Sequence, residues 1–299
     1  MVRKGFTLVE LLVALAMGGI LLGLLLATAL SNRRLYTLDQ YRTAANQNLR
    51  AALDLIVADA RQAGERLPGD LPAILVRNGN ELILRRNLMD QVLALCDTNG
   101  INGNQDNIPV AIKNENRLPA GYEDICRFRD SNNNGYDDRI DAWRAYRCAS
   151  DGEPSCQTGN RREVVRAYIY NPTSGQGEWF DYDAEDNSGV KIHKGNSDRW
   201  QKSYGLGTRI YLLEERRYYL EDGKILLAEN GAQTGKGVVA NVTTLSVKAR
   251  VGNTWYTNFP ANNLNWRQLQ EIEVKVGVKI GTLTRELQTK ILPRNILSD

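Results

Sequence analysis

The sequence predicts an α+β chain. A long N-terminal helix, apolar in its first half and amphipathic in its second, packs on an antiparallel β-sheet that carries a disulfide-stapled, loop-rich insertion. Three observations point there. Residues 6–30 form an apolar run in which Glu10 is the one charge. Residues 31–63 continue without Pro or Gly, with apolar residues at helical spacing. Beyond Gly64 the apolar residues recur at every second position instead.

Composition bounds the possibilities. The chain has 299 residues, of which 42% are hydrophobic and 24% charged, and its mean hydropathy is −0.42. These values exclude a polytopic membrane protein and a mostly disordered chain. At ~150 residues per domain, one or two domains are expected. Lys and Arg number 38 against 35 Asp and Glu, a net charge of +3. So even a balance gives no general attraction to nucleic acid. His193 is the single histidine, which excludes metal chemistry built on several imidazoles. No Gly-x-Ser-x-Gly, Walker or Rossmann signature occurs, and the chain reads as non-enzymatic.

The N-terminus sets the class. Arg3 and Lys4 precede the apolar run, so the short N-terminal end is expected in the cytoplasm and the bulk of the chain outside. At ~1.5 Å per residue the run crosses a hydrocarbon core of ~30 Å. A cleavable signal peptide begins in the same way, and Ala27-Thr28-Ala29 would supply its cleavage site. Glu10 argues against that reading, because a carboxylate inside an apolar span costs roughly 2–3 kcal/mol or more near the bilayer centre. Such a group calls for a cationic partner.

Lys4-Gly5-Phe6-Thr7-Leu8-Val9-Glu10 resembles the processing site of type IV prepilins and of type II secretion pseudopilins. The resemblance implies a cut between Gly5 and Phe6 by a prepilin peptidase, followed by N-methylation of Phe6. Glu10 then neutralises the new amine, of its own chain or of a neighbour, when apolar helices bundle into a filament. It also implies the pilin fold, residence in the inner membrane before assembly, and the periplasm, cell surface and pilus after it. The implied partners are an inner-membrane assembly platform and other minor and major pilins. Residues 1–5 are the leader, 6–30 the membrane or filament-core helix, 31–64 its amphipathic half and 65–299 the head.

The amphipathic half places Leu35, Leu38, Ala45, Leu49, Leu53, Ile56 and Ala60 on one face. Gly64 and Pro68-Gly69 end the helix. Many pilins carry a proline in the membrane half; here none falls between Phe6 and Ala63. In the head, residues 73–77 and 81–85 flank Asn78-Gly79-Asn80, a hairpin signal. Strands are further expected at 164–170, 178–182, 209–214, 217–220, 224–228, 245–251, 272–280 and 287–292. Glu221-Asp222-Gly223 makes a turn between two of them. Residues 239–248 and the terminal Leu292-Pro293-Arg294-Asn295 resemble PilW-type minor pilins and the related J-type pseudopilins. That resemblance implies a minor pilin supporting pilus initiation or capping, twitching, adhesion or DNA uptake, or else a pseudopilin of type II secretion. A signal-anchored, calcium-dependent binding protein that never polymerises is the third reading.

The insertion, residues 96–163, holds all four cysteines: Cys96, Cys126, Cys148 and Cys156. An even count outside the cytoplasm reads as two disulfides with three possible pairings. Cys96 with Cys126 and Cys148 with Cys156 is one; a nested arrangement joins Cys126 to Cys148. Little core is expected here. Asp130-Ser131-Asn132-Asn133-Asn134-Gly135-Tyr136-Asp137-Asp138-Arg139-Ile140-Asp141 resembles EF-hand and dockerin Ca²⁺ loops. Asp130, Asn132, Asn134, Asp138 and Asp141 would ligate with their side chains and Tyr136 with its carbonyl. A solvated Asx-rich turn is the alternative. Asp181, Asp183, Glu185 and Asp186 read as a solvated acidic hairpin. Arg-Arg pairs at 33–34, 85–86, 161–162 and 216–217, the last followed by Tyr218-Tyr219, raise direct DNA contact as a further reading.

Overall fold

A computed structural model of the chain describes residues 8–149, 164–195, 199–261 and 264–296. Helix α1 (Leu8–Gln62) is one unbroken rod of 55 residues, about 80 Å long at ~1.5 Å per residue. Its polypeptide reverses at Gly64, where φ is +84° and a Cβ would lie 2.6 Å from the Trp266 ring. Only glycine fits that turn and that contact.

Strands β1 (Ile74–Arg77) and β2 (Glu81–Asn87) follow as the expected hairpin. Next in sequence come β3 (Leu93–Ala94), β4 (Ile101–Gly103), β5 (Asn107–Pro109), α2 (Glu123–Cys126) and α3 (Asp138–Ala149). Then come β6 (Val165–Asn171), β7 (Gln176–Glu185), β8 (Lys191–Lys194), β9 (Trp200–Tyr204) and β10 (Arg209–Tyr211). The chain closes with β11 (Leu213–Glu221), β12 (Lys224–Glu229), β13 (Lys236–Ala240), β14 (Val242–Val251), β15 (Thr254–Tyr256), β16 (Glu271–Ile280) and β17 (Leu283–Ile291).

Two sheets receive the helix. One has the order β1-β2-β11-β12-β13 and the other β15-β14-β16-β17. In β16 the alternation predicted from sequence appears directly: Ile272, Val274, Val276 and Val278 are fully buried against the α1 side. Ala45, Leu49, Ala52, Leu53, Ile56 and Ala60 complete that core from the helix. The predicted apolar stripe is shorter than the spacing implied. Leu35 and Leu38 are exposed, at 57% and 37%, because the head first meets the helix near Tyr41, whose ring lies against Gly281.

β2 and β11 are antiparallel neighbours, with Arg86 opposite Glu214 and Arg85 opposite Glu215. Everything between them, residues 88–212, is therefore an insertion into one strand pair. It is wider than the 96–163 expected, and it has its own core. A six-stranded sheet in the order β3-β10-β6-β7-β8-β5 forms its centre. Ala167 and Ile169 face that core with Leu95, Ile108, Ile140, Trp143, Phe180 and Ile192. Tyr168 and Tyr170, pointing the other way, join the core of the helix-bearing sheets. One sheet thus serves two cores. Strands of two or three residues, such as β3, β4 and β5, contribute one or two buried side chains each. That is too few to register as periodicity in sequence.

The expected strand 209–214 divides at Leu212 into β10 and β11, which belong to different sheets. Expected strand 217–220 is the second half of β11. Cys96 and Cys126 are joined, with Sγ to Sγ 2.07 Å. Cys148 is disulfide-bonded as well, and Cys156 lies outside the described residues.

Candidate functional site

The first half of α1 stands clear of the head. Leu8, Leu11, Leu12, Leu15, Ile20 and Leu22 are each more than half exposed. The helix contains a window apolar enough to cross a membrane, with none of it buried inside the molecule. An exposed apolar surface of this extent marks a site that meets a membrane or another apolar partner. Glu10 sits in the first turn, where the positive end of the helix dipole favours a carboxylate. Gly5 and Phe6, the expected processing pair, lie outside the described residues.

The second half is fastened by a polar network that grows from strand alternation. Glu214, Arg216 and Tyr218 share the face of β11 that looks at α1. Arg216 Nη1 donates to Asp59 Oδ1 at 2.6 Å, and the Tyr218 hydroxyl donates to Asp59 Oδ2. Arg216 Nη2 reaches Glu214 at 3.3 Å. Glu214 accepts from Arg86 Nε, and Arg86 Nη1 donates to the Gln62 side chain. Burial, then the bond to Asp59, pushes the Tyr218 phenol well above the usual tyrosine range. From the C-terminal segment, Asn295 Nδ2 donates to the carbonyls of Gln62 at 3.3 Å and Ala63 at 3.2 Å. These carbonyls close the helix end, and that of Gln62 also accepts from the Glu65 amide at 3.2 Å. Lower down, Arg285 binds Asn46 at 3.0 Å and Asn48 binds the Ala240 carbonyl at 3.3 Å. Sequence reading missed Asp59, although a carboxylate on the apolar side of a helix was a signal available to it.

The inserted domain joins the head at the C-terminal end of α1. Arg66 Nη1 donates to the Leu88 carbonyl at 3.2 Å, Arg209 pairs with Asp70 at 3.1 Å, and Tyr170 Oη donates to the Asp70 carbonyl at 2.9 Å. Trp179 packs against Gly231, in the loop after β12 at the same end of the sheet.

Within the insertion, the loop of residues 130–141 leads into α3. Asp130 accepts from the amides of Asn134 and Gly135 at 3.0 and 2.9 Å. Gly135 has φ +91°. The amide nitrogens of Asn132 and Asn134 meet Asp141 Oδ2 at 3.0 and 2.6 Å, which draws these side-chain tips together. The Asp138 carboxylate turns to Ser131 instead, whose hydroxyl and amide hold it below the usual carboxylate range. Tyr136 precedes α3 with its ring beside Arg144. Among the described residues no group of three or more His, Cys, Asp or Glu is arranged to hold a metal. The loop's side-chain donor set is three carboxylates, Asp130, Asp138 and Asp141, and two amides, Asn132 and Asn134.

The acidic hairpin is not solvated as expected. Asp183 is buried and lies 2.6 Å from His193 Nδ1, Glu185 binds Arg147 at 2.9 Å, and Asp181 binds Arg166 at 2.7 Å. The arginine pairs also differ from the DNA-contact expectation. Arg85 is committed to Glu215 and Arg86 to Glu214. Arg216 is committed to Asp59, and Arg217 to the carbonyls of Ala232 and Gln233. Arg161 and Arg162 lie outside the described residues.

Residues 1–26 match the family model for the prokaryotic N-terminal methylation motif. No curated protein and no solved structure matches the chain. A methylation motif at the N-terminus, followed by an exposed apolar helix and a β-rich head, makes the chain similar to type IV prepilin-like proteins and is consistent with anchoring in the inner membrane through that helix.

Proposed function

We propose that the chain is a minor pilin that occupies the end of a type IV fibre and initiates or caps it, in the manner of PilW-type subunits. One observation carries this reading. In a fibre of parallel rods, each head is overlaid by the subunit beyond it, at the end where its rod stops. The inserted domain stands at that end, fixed to Arg66, Asp70 and the loop after β12. A subunit so covered accepts neighbours below and beside it more readily than above. Tyr168 and Tyr170 seat the domain in the main core, which supports a fixed obstacle over a swinging one.

Twitching, adhesion and DNA uptake are roles that a terminal subunit would support. Direct DNA contact through the arginine pairs has less to draw on, since Arg85, Arg86, Arg216 and Arg217 are turned to internal partners. Ca²⁺ in the loop of residues 130–141 is a proposal that rests on the spacing of the donors alone.

The test is immunogold labelling of sheared fibres with an antibody to the inserted domain, joined to mass spectrometry of the mature N-terminus. Label confined to one end, on chains beginning with methylated Phe6, supports the reading. Label along the shaft, or fibre-borne chains that keep residues 1–5, overturns it.

A further inference from the structure

We propose that Arg33 and Arg34 bind the phosphate groups of anionic phospholipids on the outer side of the membrane, and so set the depth at which α1 rests before assembly. This rests on the reading of residues 8–30 as the membrane half of the helix. Between Leu11 and Leu38 the only charged residues are these two arginines. They are exposed, and neither makes an ion pair among the described residues. The next acid, Asp39, already pairs with Arg42 at 3.4 Å.

Position gives them their partner. Leu30 ends the apolar run, and Arg33 lies ~4–5 Å further along the axis at ~1.5 Å per residue. That is the level of the lipid headgroups. Leu30, Arg33, Arg34, Thr37 and Leu38 line one open face of the helix, the i, i+3, i+4, i+7, i+8 spacing of a single stripe. Leu30 at the membrane end of the stripe and the guanidiniums beyond it match an acyl chain with its phosphate. Tyr36, 67% exposed at the same level, has the amphipathic ring that favours this interface. The head packs on the helix at Tyr41, whose ring lies against Gly281, and the site lies N-terminal to it. Guanidinium forks bind phosphate bidentately, and juxtamembrane arginines contribute favourably near an anionic surface.

The full chain is reconstituted into vesicles of phosphatidylglycerol mixed with phosphatidylcholine, and into vesicles of phosphatidylcholine alone, at low protein-to-lipid ratio. Flotation checks the anchoring itself, and amide hydrogen exchange over residues 31–38 reads the contact. Exchange slower on the order of ten-fold in the anionic vesicles is the expected result. The difference should shrink in high salt and vanish in the Arg33→Gln/Arg34→Gln variant. Equal exchange in both vesicles overturns the inference, as does a difference that survives the double substitution. Protection that rises with protein density instead of lipid charge also overturns it, and assigns the arginines to a second copy of the chain. A chain that does not float overturns both this inference and the anchoring on which it rests.

Discussion

Asp59→Ala tests the attachment of rod to head. Asp59 has 8% of its side chain exposed and Arg216 28%. Removing one partner of a buried ion pair costs about 3–5 kcal/mol, and a buried hydroxyl left without its acceptor adds about 1–3 kcal/mol. Two features reduce the sum. Arg216 keeps Glu214 at 3.3 Å, and its partial exposure lets water screen the lost charge. The expected loss is therefore about 3 kcal/mol, a large part of the ~5–15 kcal/mol that holds a typical domain together. Asp59→Asn, which keeps an acceptor for Tyr218 but loses the charge, should lose about half as much. The assay is chemical denaturation of the full chain in detergent, followed by near-UV circular dichroism. A double change to Leu at Asp59 and Met at Arg216 should recover the part of the loss that comes from the unpaired charge, since apolar isosteres often replace buried ion pairs without loss, and keep the part that comes from the Tyr218 hydroxyl. Midpoints for Asp59→Ala within about 0.5 kcal/mol of the parent, the range of an ordinary surface change, would refute the reasoning.

Four further outcomes are expected. Glu10→Ala should leave cleavage at Gly5 intact but reduce recovery of the chain in sheared fibres, as read by immunoblot of fibre and membrane fractions. Cys96→Ser opens a link with a sequence separation of 30 and should cost about 3–4 kcal/mol on the loop-entropy model, measured by thermal unfolding with and without reductant. The hydrogen bond from Lys290, with that from Arg250, holds the Glu271 carboxyl below the usual carboxylate range. Its folded pKa is depressed, so its contribution is present above the unfolded value of ~4.3 and is lost as pH falls through the folded one. Glu271→Gln should therefore lower stability at neutral pH and flatten the acid limb of a stability-against-pH curve. Calorimetric titration with Ca²⁺ should show binding that Asp130→Ala removes; no heat with the parent chain retires the ion.

What sequence could reveal follows from what each feature encodes locally. The rod was legible because 3.6-residue periodicity and a missing breaker are properties of the chain itself, and Gly64 marks the stop by its conformational freedom. The turn at Asp222-Gly223 was legible for the same reason, with φ of 48° and 69° at the two central residues. Sheet membership was not, since a run such as 209–214 alternates identically whichever sheet receives each half. The inserted core was hidden because strands of two or three residues, and a helix, join the longer strands β6 and β7 in it from far apart in sequence. Leu35 and Leu38 continue the stripe that Ala45 belongs to, and nothing local says where the head begins. The expected processing residues, Gly5 and Phe6, come from a motif, whereas the clamp at Asp59 needed the register of β2 against β11 to bring Arg86, Glu214, Arg216 and Tyr218 to one face.

The placement of these clamps suits the load that the rod would carry in the proposed fibre. Only the stretch from Ala45 to Ala60 is buried in the head, about 24 Å of an ~80 Å rod. A filament built on bundled rods pulls each head through that short contact. Dispersion and apolar burial there are non-directional and resist sliding weakly. Directional bonds resist it, and the molecule places them at both ends of the contact. Arg285 to Asn46 and Asn48 to Ala240 lie at the lower end. Asp59, Gln62 and the Asn295 cap lie at the upper end. Moving α1 along its axis by one residue, ~1.5 Å, breaks both sets together. The head is thereby tied to the rod as one mechanical body, and its inserted domain goes wherever the rod is packed.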